Sequence, residues 1–301
     1  MKSATNYDVT QVTKLLHNCL SRQISHTSLS WLAEKRNQIA QGATQRVFYT
    51  TFSAVPRYLG KNSLTLSAED LLAAQTIRLG WNPQHWSVDQ AGRALVVLSL
   101  PHADVEKYLW ILDQVFTTAD VRELVALYQS LPLLPHPEKH CARAAEGVRS
   151  NMTTVFNAVA LRNPYPAEYF DDLAWNQMIL KAVFVESPLY LIQGSDRRAN
   201  PELARMLVDY VRERWAAKRS VTPELWRFVG YSDTELQALA KVLQEDDIVQ
   251  QEAAALACAQ SPLPQAQELL ARYPNLQAAI HHGDLTWSSF SCNRLGADVG
   301  N

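Results

Sequence analysis

Apolar and polar residues alternate along most of this chain with the period of an α-helix. Helix start signals recur between the periodic runs, each placing a capping side chain at the front of an apolar stretch. These signals are Ser67 with Asp70, Ser87 with Gln90, Thr117 with Asp120, Thr222 with Pro223, and Ser232 with Glu235. Such residues accept backbone N–H groups that the first helical turn cannot satisfy internally. The pattern therefore predicts a series of short amphipathic helices.

Evidence for β-strands is thin. RVFYTTF is an aromatic and β-branched run, but its apolar residues follow helical spacing, so we expect a helix there. The chain has 10 glycines and no Asn-Gly or Asp-Gly pair, which leaves little from which to build hairpins. We expect an all-α fold without a substantial β-sheet.

The C-terminal third indicates how the helices are arranged. DTELQALAKVLQ is amphipathic, EDD interrupts it, and IVQQEAAALACAQ follows with an alanine-rich face. Two helices with small residues on the second resemble a HEAT-type hairpin, since small residues allow close stacking. Their predicted contact residues are Leu239, Leu243, Ala253 and Leu256. We predict one all-helical domain over 1–301, an irregular α-solenoid whose solenoid-like part covers about 222–290.

The central helix LAWNQMILKAVFV is apolar in nearly every direction, which is typical of a helix buried on most sides. Its polar residues are Asn176, Gln177 and Lys181, with the last two on one face. A buried lysine needs a carboxylate or a ligand to offset its lost hydration. Two interpretations fit this pattern. Lys181 can form a structural ion pair with Asp196 or Glu146, or the polar stripe can face a ligand or a partner.

The preceding segment, ARAAEGVRSNMTTVFNAVALRN, reads as one helix with a second polar line. Arg149, Thr153 and Asn157 recur at a spacing of four, which predicts one face directed at solvent or at the central helix. Gly147 in mid-helix predicts a close approach of a neighbouring helix, because glycine otherwise costs about 1 kcal/mol relative to alanine.

The segment QGSDRRANPELARML places two arginines at the start of a helix. Asn200 is a good N-cap, but Arg197 and Arg198 lie at the positive end of the helix dipole. The arginines can clamp the loop through acids such as Asp196 and Asp171, or they can hold a carboxylate or phosphate.

Composition narrows the classes of function. The chain has 301 residues, of which 47% are hydrophobic and 19% charged, so it is expected to fold. A net charge of −2 without a basic block disfavours nucleic-acid binding. Neither a signal-peptide pattern nor an apolar run of about 20 residues is present, so we expect no membrane insertion. Four widely spaced cysteines without a C-x-x-C pair favour a cytoplasmic protein.

Chemical motifs are few. His136 and His140 lie four apart beside Cys141 in HPEKHC, but no third metal ligand is near, and HHGD fits a helix end capped by Gly283. We therefore expect no metal, no cofactor and no assigned catalytic residue. Six of the eight tryptophans are expected to be packing anchors rather than the walls of a ligand cage. They are Trp81, Trp86, Trp175, Trp215, Trp226 and Trp287.

Long segments of the chain resemble the EboA family. They are SNMTTVFNAVALRNPYPAEYFDDLAWNQMILKAVF, GSDRRANPELARMLVDYVRERWAA, FSAVPRYLGK, GWNPQHWSVDQAGRALVVL, TPELWRFVG and LTW, which together extend over nearly the whole sequence. The resemblance implies a soluble helical protein from gene clusters that move secondary metabolites or their precursors toward the cell envelope. It also implies partners such as a prenyltransferase, a sugar-phosphate cyclase-like enzyme and TIM-barrel proteins. The resemblance implies no catalytic residue.

Two functional hypotheses follow. The first is a non-enzymatic helical protein that binds a small anionic metabolite or partner proteins of the same gene cluster. The second is an enzyme that acts on an anionic small molecule with Lys181, Arg197 and Arg198 at its site. The candidate ligand-binding residues are Arg149, Asn157, Asn176, Gln177, Lys181, Asp196, Arg197 and Arg198.

Overall fold

The computed structural model describes residues 8–296. Within that range the chain forms eighteen α-helices and four short 3-10 helices. The extended pairing in these residues is an isolated bridge between Ser63 and Ser87 rather than a strand. The prediction of an all-α fold is confirmed.

The chain divides into two compact units, Met1–Phe170 and Asp171–Asn301. Helices of both units start at capping side chains of the kind that the sequence indicates. The prediction of a single domain over 1–301 is not decided by this division and stays a prediction.

The first unit contains ten α-helices. They are α1 (Val9–Ser21), α2 (His26–Ala40), α3 (Gln45–Leu59), α4 (Ala68–Ile77), α5 (Val88–Val97), α6 (Val105–Thr118), α7 (Val121–Ser130), α8 (Cys141–Arg149), α9 (Thr153–Ala160) and α10 (Tyr165–Tyr169), with 3-10 helices at Leu131–Leu133 and Pro137–His140. Helix α5 lies at the centre of this unit, packed against α1, α2, α3 and α7. Nine of its ten residues are buried, which makes it the core of the first unit.

Local signals located most of these helices correctly. Ser67 with Asp70 and Ser87 with Gln90 form capping boxes at α4 and α5, and RVFYTTF lies in α3. The helix predicted over VRELVALYQSL is present as α7, but Thr117 is not its cap, because Thr117 lies inside α6. Helix α7 is capped by the Asp120 carboxylate, which accepts from the Glu123 amide at 2.8 Å.

The single helix predicted over ARAAEGVRSNMTTVFNAVALRN is also wrong, because the chain breaks between α8 and α9. The Ser150 hydroxyl accepts from the Met152 amide at 3.2 Å, a local turn that competes with helix continuation. Gly147 does mark a close approach. A Cβ atom there would lie 2.7 Å from both the Tyr128 ring and a Val159 methyl group.

The second unit contains the remaining eight α-helices. They are α11 (Asp172–Phe184), α12 (Ser195–Arg198), α13 (Pro201–Ala216), α14 (Asp233–Leu243), α15 (Ile248–Gln260), α16 (Pro264–Leu270), α17 (Pro274–His282) and α18 (Trp287–Leu295), with 3-10 helices at Leu189–Leu191 and Pro223–Phe228. Helices α14 and α15 pack on each other. Leu239, Leu243, Ala253 and Leu256 are all buried, as predicted. The likeness of this pair to a HEAT repeat stays a prediction.

Helix α11 is less enclosed than its sequence suggests. Trp175, Met178 and Ile179 are fully buried, whereas Leu173 and Phe184 are 65% and 72% exposed. The exposed residues lie three turns apart and so share one face with Gln177. The expectation that this helix is buried on most sides is therefore wrong for that face.

Candidate functional site

A cavity of about 300 Å³ lies within the first unit, and we call it the tryptophan cavity. Its wall comes from the segment between α4 and α5, from α7, from α9, and from the turn that follows α9. The lining residues are Trp81, Asn82, His85, Trp86, Val125, Gln129, Thr154, Asn157, Ala158, Leu161, Arg162 and Asn163. Its volume is at the lower end of the range for small-molecule sites.

The segment GWNPQHW that forms one wall is held by its own backbone and side chains. The Gln75 amide donates to the Trp81 carbonyl at 3.1 Å and accepts from the Gly80 amide at 3.1 Å. The Asn82 side chain accepts from the Gln84 amide at 2.9 Å, a turn typical of asparagine. The Trp81 and Trp86 rings meet edge to face with centroids 5.9 Å apart. Two aromatic walls are thereby fixed in place.

A buried arginine anchors the start of this segment. Arg78 is 2% exposed and donates two hydrogen bonds to the Glu168 carboxylate, at 2.9 and 2.5 Å. Its Nε also donates to the Pro132 carbonyl at 3.0 Å. Bidentate arginine–carboxylate contacts add geometric specificity as well as energy. Arg78 therefore attaches the segment that contains Trp81 to helix α10.

The opposite wall is fixed by Asn163. Its side-chain amide donates to the carbonyls of Tyr128 and Ala158, at 3.1 and 3.0 Å, and its oxygen accepts from the Tyr165 amide at 3.0 Å. The preceding residue, Arg162, has a left-handed backbone with φ of 52°. A left-handed conformation is uncommon outside glycine, asparagine and aspartate and concentrates at functional positions. The turn thus holds an arginine at the cavity in a conformation that its sequence would not favour.

Two polar atoms in this lining are buried without a hydrogen-bond partner among residues 8–296. They are Trp81 Nε1, which can only donate, and Gln129 Oε1, which can only accept. A buried polar atom left unpaired costs about 1–3 kcal/mol, so native proteins seldom keep one without a reason. Each atom has almost no surface accessible to water, so a molecule in the cavity reaches it only after the side chain rotates toward the cavity.

The charge of the lining is also one-sided. Among the described residues that form the wall there is an arginine and a histidine but no aspartate, glutamate, lysine or cysteine. The lining therefore combines hydrogen-bonding side chains, aromatic rings and one arginine. It does not present the paired acid and base, or the activated nucleophile, that common hydrolytic sites contain.

The sequence-predicted site residues divide between the two units. In the first unit, Asn157 lines the tryptophan cavity, whereas Arg149 is exposed on α8. Because α8 and α9 are separate helices, these two residues do not continue one helical face. Asn157 is the predicted residue that the structure places with the cavity.

In the second unit, three of the predicted residues make specific structural contacts. Asn176 and Asn200 exchange side-chain hydrogen bonds at 3.2 and 2.8 Å, while Asn200 also caps α13. Asp196 pairs with Arg227 through two hydrogen bonds, one of them at 2.6 Å. Arg198 lies 2.8 Å from Asp172 and 5.0 Å from the centroid of the Trp175 ring.

These contacts answer the question raised by the two arginines at a helix start. The clamp predicted for Arg198 is present, with Asp172 as the acid, whereas Asp171 accepts from the Ala174 amide and caps α11. Arg197 and Gln177 are exposed, and Lys181 is half-buried. Burial lowers the pKa of Lys181 below its ordinary value. Binding of an anion by these residues stays a prediction.

The residues that sequence analysis missed are Trp81 and Gln129. We interpreted six of the tryptophans, Trp81 among them, as packing anchors rather than a ligand cage, and Gln129 drew no attention inside an amphipathic helix. A signal does exist in GWNPQHW, where two tryptophans enclose an asparagine, a proline and a histidine in a segment without helical periodicity. What cannot be read locally is that Gln129, 48 positions further along, lies at the same cavity.

Among residues 8–296, no group of three or more histidine, cysteine, aspartate or glutamate side chains could hold a metal ion. His140 is buried, and its Nε2 lies 2.8 Å from the Pro135 carbonyl. None of the helices in the described part of the chain is both long enough and apolar enough to span a bilayer.

The fold and the site define an all-helical protein with a small cavity lined by aromatic and polar residues. A family model described as "Metabolite traffic protein EboA" matches residues 12–230, which include every residue of the cavity lining. The chain belongs to the EboA family, which confirms the resemblance seen in the sequence. No curated protein and no solved structure matches the chain.

Proposed function

We propose that this chain is a non-enzymatic protein that binds a small polar metabolite in the tryptophan cavity. The observation that carries the proposal is a cavity of about 300 Å³ whose wall contains two residues with buried unpaired polar atoms, Trp81 and Gln129. If both side chains rotate toward the cavity, a ligand that accepts from Trp81 Nε1 and donates to Gln129 Oε1 relieves both desolvation costs, about 1–3 kcal/mol each. The apolar walls supply the remaining contact area.

The family name supports a role in metabolite traffic rather than in conversion. We propose that the bound molecule is a secondary metabolite or its precursor on its way toward the cell envelope. We place the protein in the cytoplasm beside partner proteins of the same gene cluster. Binding without reaction agrees with a lining that combines hydrogen-bonding groups and aromatic rings without a carboxylate.

The alternative, an enzyme with Lys181, Arg197 and Arg198 at its site, has less support. Arg198 already contacts Asp172, and Asp196 contacts Arg227, so both of these charges have structural roles. Burial lowers the pKa of Lys181, and this shift needs no ligand to explain it. The cavity in the first unit therefore remains the better candidate.

The proposal is tested by recovering the ligand. The protein is purified gently from its native host, and native mass spectrometry is followed by identification of released small molecules. We expect one small molecule bound to the wild-type chain. Trp81→Phe keeps an aromatic ring but removes the donor, and Gln129→Leu removes the acceptor. Each is expected to reduce occupancy at limiting ligand by about tenfold or more, the loss of roughly one buried hydrogen bond.

The matched control is Trp175→Phe. Trp175 is also fully buried with an unpaired Nε1 within the described range, but it does not belong to the cavity lining. It removes the same group from a packed position, so the bound molecule should be retained. Equal occupancy in all three variants, or a wild-type chain that carries no small molecule, would contradict binding in the tryptophan cavity.

A further inference from the structure

Helix α11 presents a row of side chains that the rest of the chain leaves largely exposed. The row consists of Leu173, Gln177, Leu180 and Phe184, at intervals of four, three and four residues. Leu173 and Phe184 are 65% and 72% exposed, Gln177 is exposed, and Leu180 is half-buried. These intervals keep all four side chains on one face and are those of a coiled-coil seam. We call this row the α11 stripe.

The α11 stripe is distinct from the face that α11 contributes to the core. Trp175, Met178 and Ile179 are fully buried, and α11 packs against α13 and the 3-10 helix Leu189–Leu191. The outer face of a helix that packs on one side is normally polar, because its side chains contact water. Two large apolar side chains on that face, at the spacing of a coiled coil, are typical of a surface that another molecule covers.

The order of residues in the α11 stripe fits a second, reversed copy of the same stripe. Leu173 and Phe184 lie at its two ends, so reversal places the leucine of one copy against the phenylalanine of the other. The two Gln177 side chains then lie about 4.5 Å apart along the helix axis, from a rise of 1.5 Å per residue. A primary amide has donors and an acceptor, so these two amides can bond to each other. Antiparallel packing also brings opposite ends of the two helix dipoles together.

We propose that two copies of this chain associate through the α11 stripe, with the two helices antiparallel about a two-fold axis. An interface on such an axis uses the same surface patch on both copies, and the stripe is a patch of this self-complementary kind. The proposal is independent of ligand binding in the tryptophan cavity, which lies in the first unit.

The size of the α11 stripe sets the strength of the association. A phenylalanine buries about 150–250 Å² when it is fully covered. One face of one helix therefore buries much less than the roughly 800 Å² per partner of a standard interface. Interfaces at this end of the range hold weak and reversible complexes. We expect a monomer–dimer equilibrium with a dissociation constant of about 10–500 µM rather than a permanent dimer.

The charge beside the α11 stripe predicts how salt affects the dimer. Lys181 borders the stripe and is half-buried. In the antiparallel pair the two lysines lie on the same side, so their like charges repel each other. Added salt screens this repulsion and leaves the apolar contact in place. The association should therefore tighten slightly as salt increases, whereas a contact held by ion pairs would weaken.

Sedimentation equilibrium of the full chain from about 5 to about 500 µM measures the association. The weight-average mass of the wild-type chain should rise from that of one chain toward that of two. Leu173→Glu and Phe184→Glu each place a carboxylate in the apolar contact and should weaken the association at least about tenfold. Leu72→Glu is the matched control, since Leu72 is 70% exposed on α4 in the first unit, and it should associate like wild type.

Two more variants test the orientation of the helices and the role of the amide. Leu173→Glu combined with Phe184→Lys brings opposite charges together only in the antiparallel pair, so at low salt this double variant should associate more tightly than either of its single changes. Gln177→Leu removes a polar residue from the seam, so it should tighten the association, because a polar residue there costs stability. All of these positions are exposed, so circular dichroism should show an unchanged helix content.

Three outcomes would overturn the proposal. The first is a wild-type chain that stays monomeric at about 500 µM, which would leave the α11 stripe to an occupant other than a second copy. The second is an association that Leu72→Glu weakens as much as Phe184→Glu does, or that weakens as salt is added. The third is a double variant that associates less than both of its single changes, which would indicate parallel helices. None of these outcomes bears on the small molecule recovered from the tryptophan cavity.

Discussion

Trp81 in the first unit and Trp175 in the second make an instructive comparison. Each is an almost fully buried indole whose Nε1 lacks a hydrogen-bond partner among residues 8–296. Trp81 lines a cavity with a second unpaired atom, whereas Trp175 lies on the buried face of α11 beneath the Arg198 guanidinium. An unpaired polar atom in a filled core is simply a cost, but beside an open volume it can be satisfied by a ligand.

The arginines beside these two indoles differ in the same way. Arg78 is 2% exposed and its partner Glu168 is largely buried, whereas Asp172, the partner of Arg198, is 81% exposed. The first pair holds the wall of the cavity and the second closes a surface loop. Substitution of Arg78 should therefore lower the free energy of unfolding more than substitution of Arg198.

The largest effect is expected from Arg78→Met. This change leaves a mostly buried carboxylate at Glu168 without its cation and removes the donor to the Pro132 carbonyl. The free energy of unfolding, measured by urea denaturation, should fall by about 3–5 kcal/mol. Arg198→Met should cost only about 1 kcal/mol, from a solvated ion pair and a cation–π contact. Similar losses at the two positions would show that the contrast between the anchors is wrong.

A smaller effect is expected from Gly147→Ala in α8. The added methyl group would lie 2.7 Å from the Tyr128 ring and from a Val159 methyl group, next to the helices that form the cavity wall. The overpacking should cost about 1–3 kcal/mol, more than the helix propensity gained. Thermal and urea unfolding should both show the loss. A variant as stable as wild type would mean that α8 can move away from α7 and α9, so that the cavity wall is not rigid.

The smallest effect concerns acid sensitivity in the first unit. Burial lowers the pKa of His140 below its ordinary value of 6.5. As the pH falls below that value, the unfolded chain binds a proton before the folded chain does, so the free energy of unfolding decreases. Above it, both states are neutral and this contribution is constant. The loss should level off once the pH is below the folded pKa.

Unfolding at about pH 7.5 and about pH 5.5, on either side of the ordinary histidine value, measures this contribution. His140→Asn should lose less stability on acidification than wild type. Lys181→Gln in the second unit should behave like wild type, because the lysine pKa, although lowered by burial, starts from 10.5. If His140→Asn loses as much stability on acidification as wild type, His140 is not the source of the acid sensitivity.

Features that depend on neighbouring residues were predictable from the sequence. The caps at Ser67, Ser87 and Asn200 are bonds between residues three apart, and each was located correctly. Where two local preferences competed, prediction failed. The Ser150 turn prevailed over the helical period across α8 and α9, and the acid at Asp120 prevailed over Thr117.

The candidate site was mostly unpredictable for a different reason. Its evidence is the lack of a partner for Trp81 Nε1 and Gln129 Oε1, and only the three-dimensional packing determines whether a partner is near. Asn157 was identified because polar spacing on one helix face is a local property. The polar residues of α11 to α13 were equally conspicuous, but Asn176 and Asp196 have partners that satisfy them.

The bond between Arg78 and Glu168 has a consequence for synthesis of the chain. The two residues are 90 positions apart, so the anchor forms only after residue 168 has left the ribosome. At about 5–20 residues per second, that moment comes roughly 5–18 s after Arg78 itself has left the ribosome. Until then Trp81 and its neighbours lack their clamp, and the growing polypeptide exposes indoles that a chaperone could recognise. A ribosome-bound chain stalled with residue 168 still inside the tunnel should therefore be cut by protease between α4 and α5, and one stalled well beyond it should be protected.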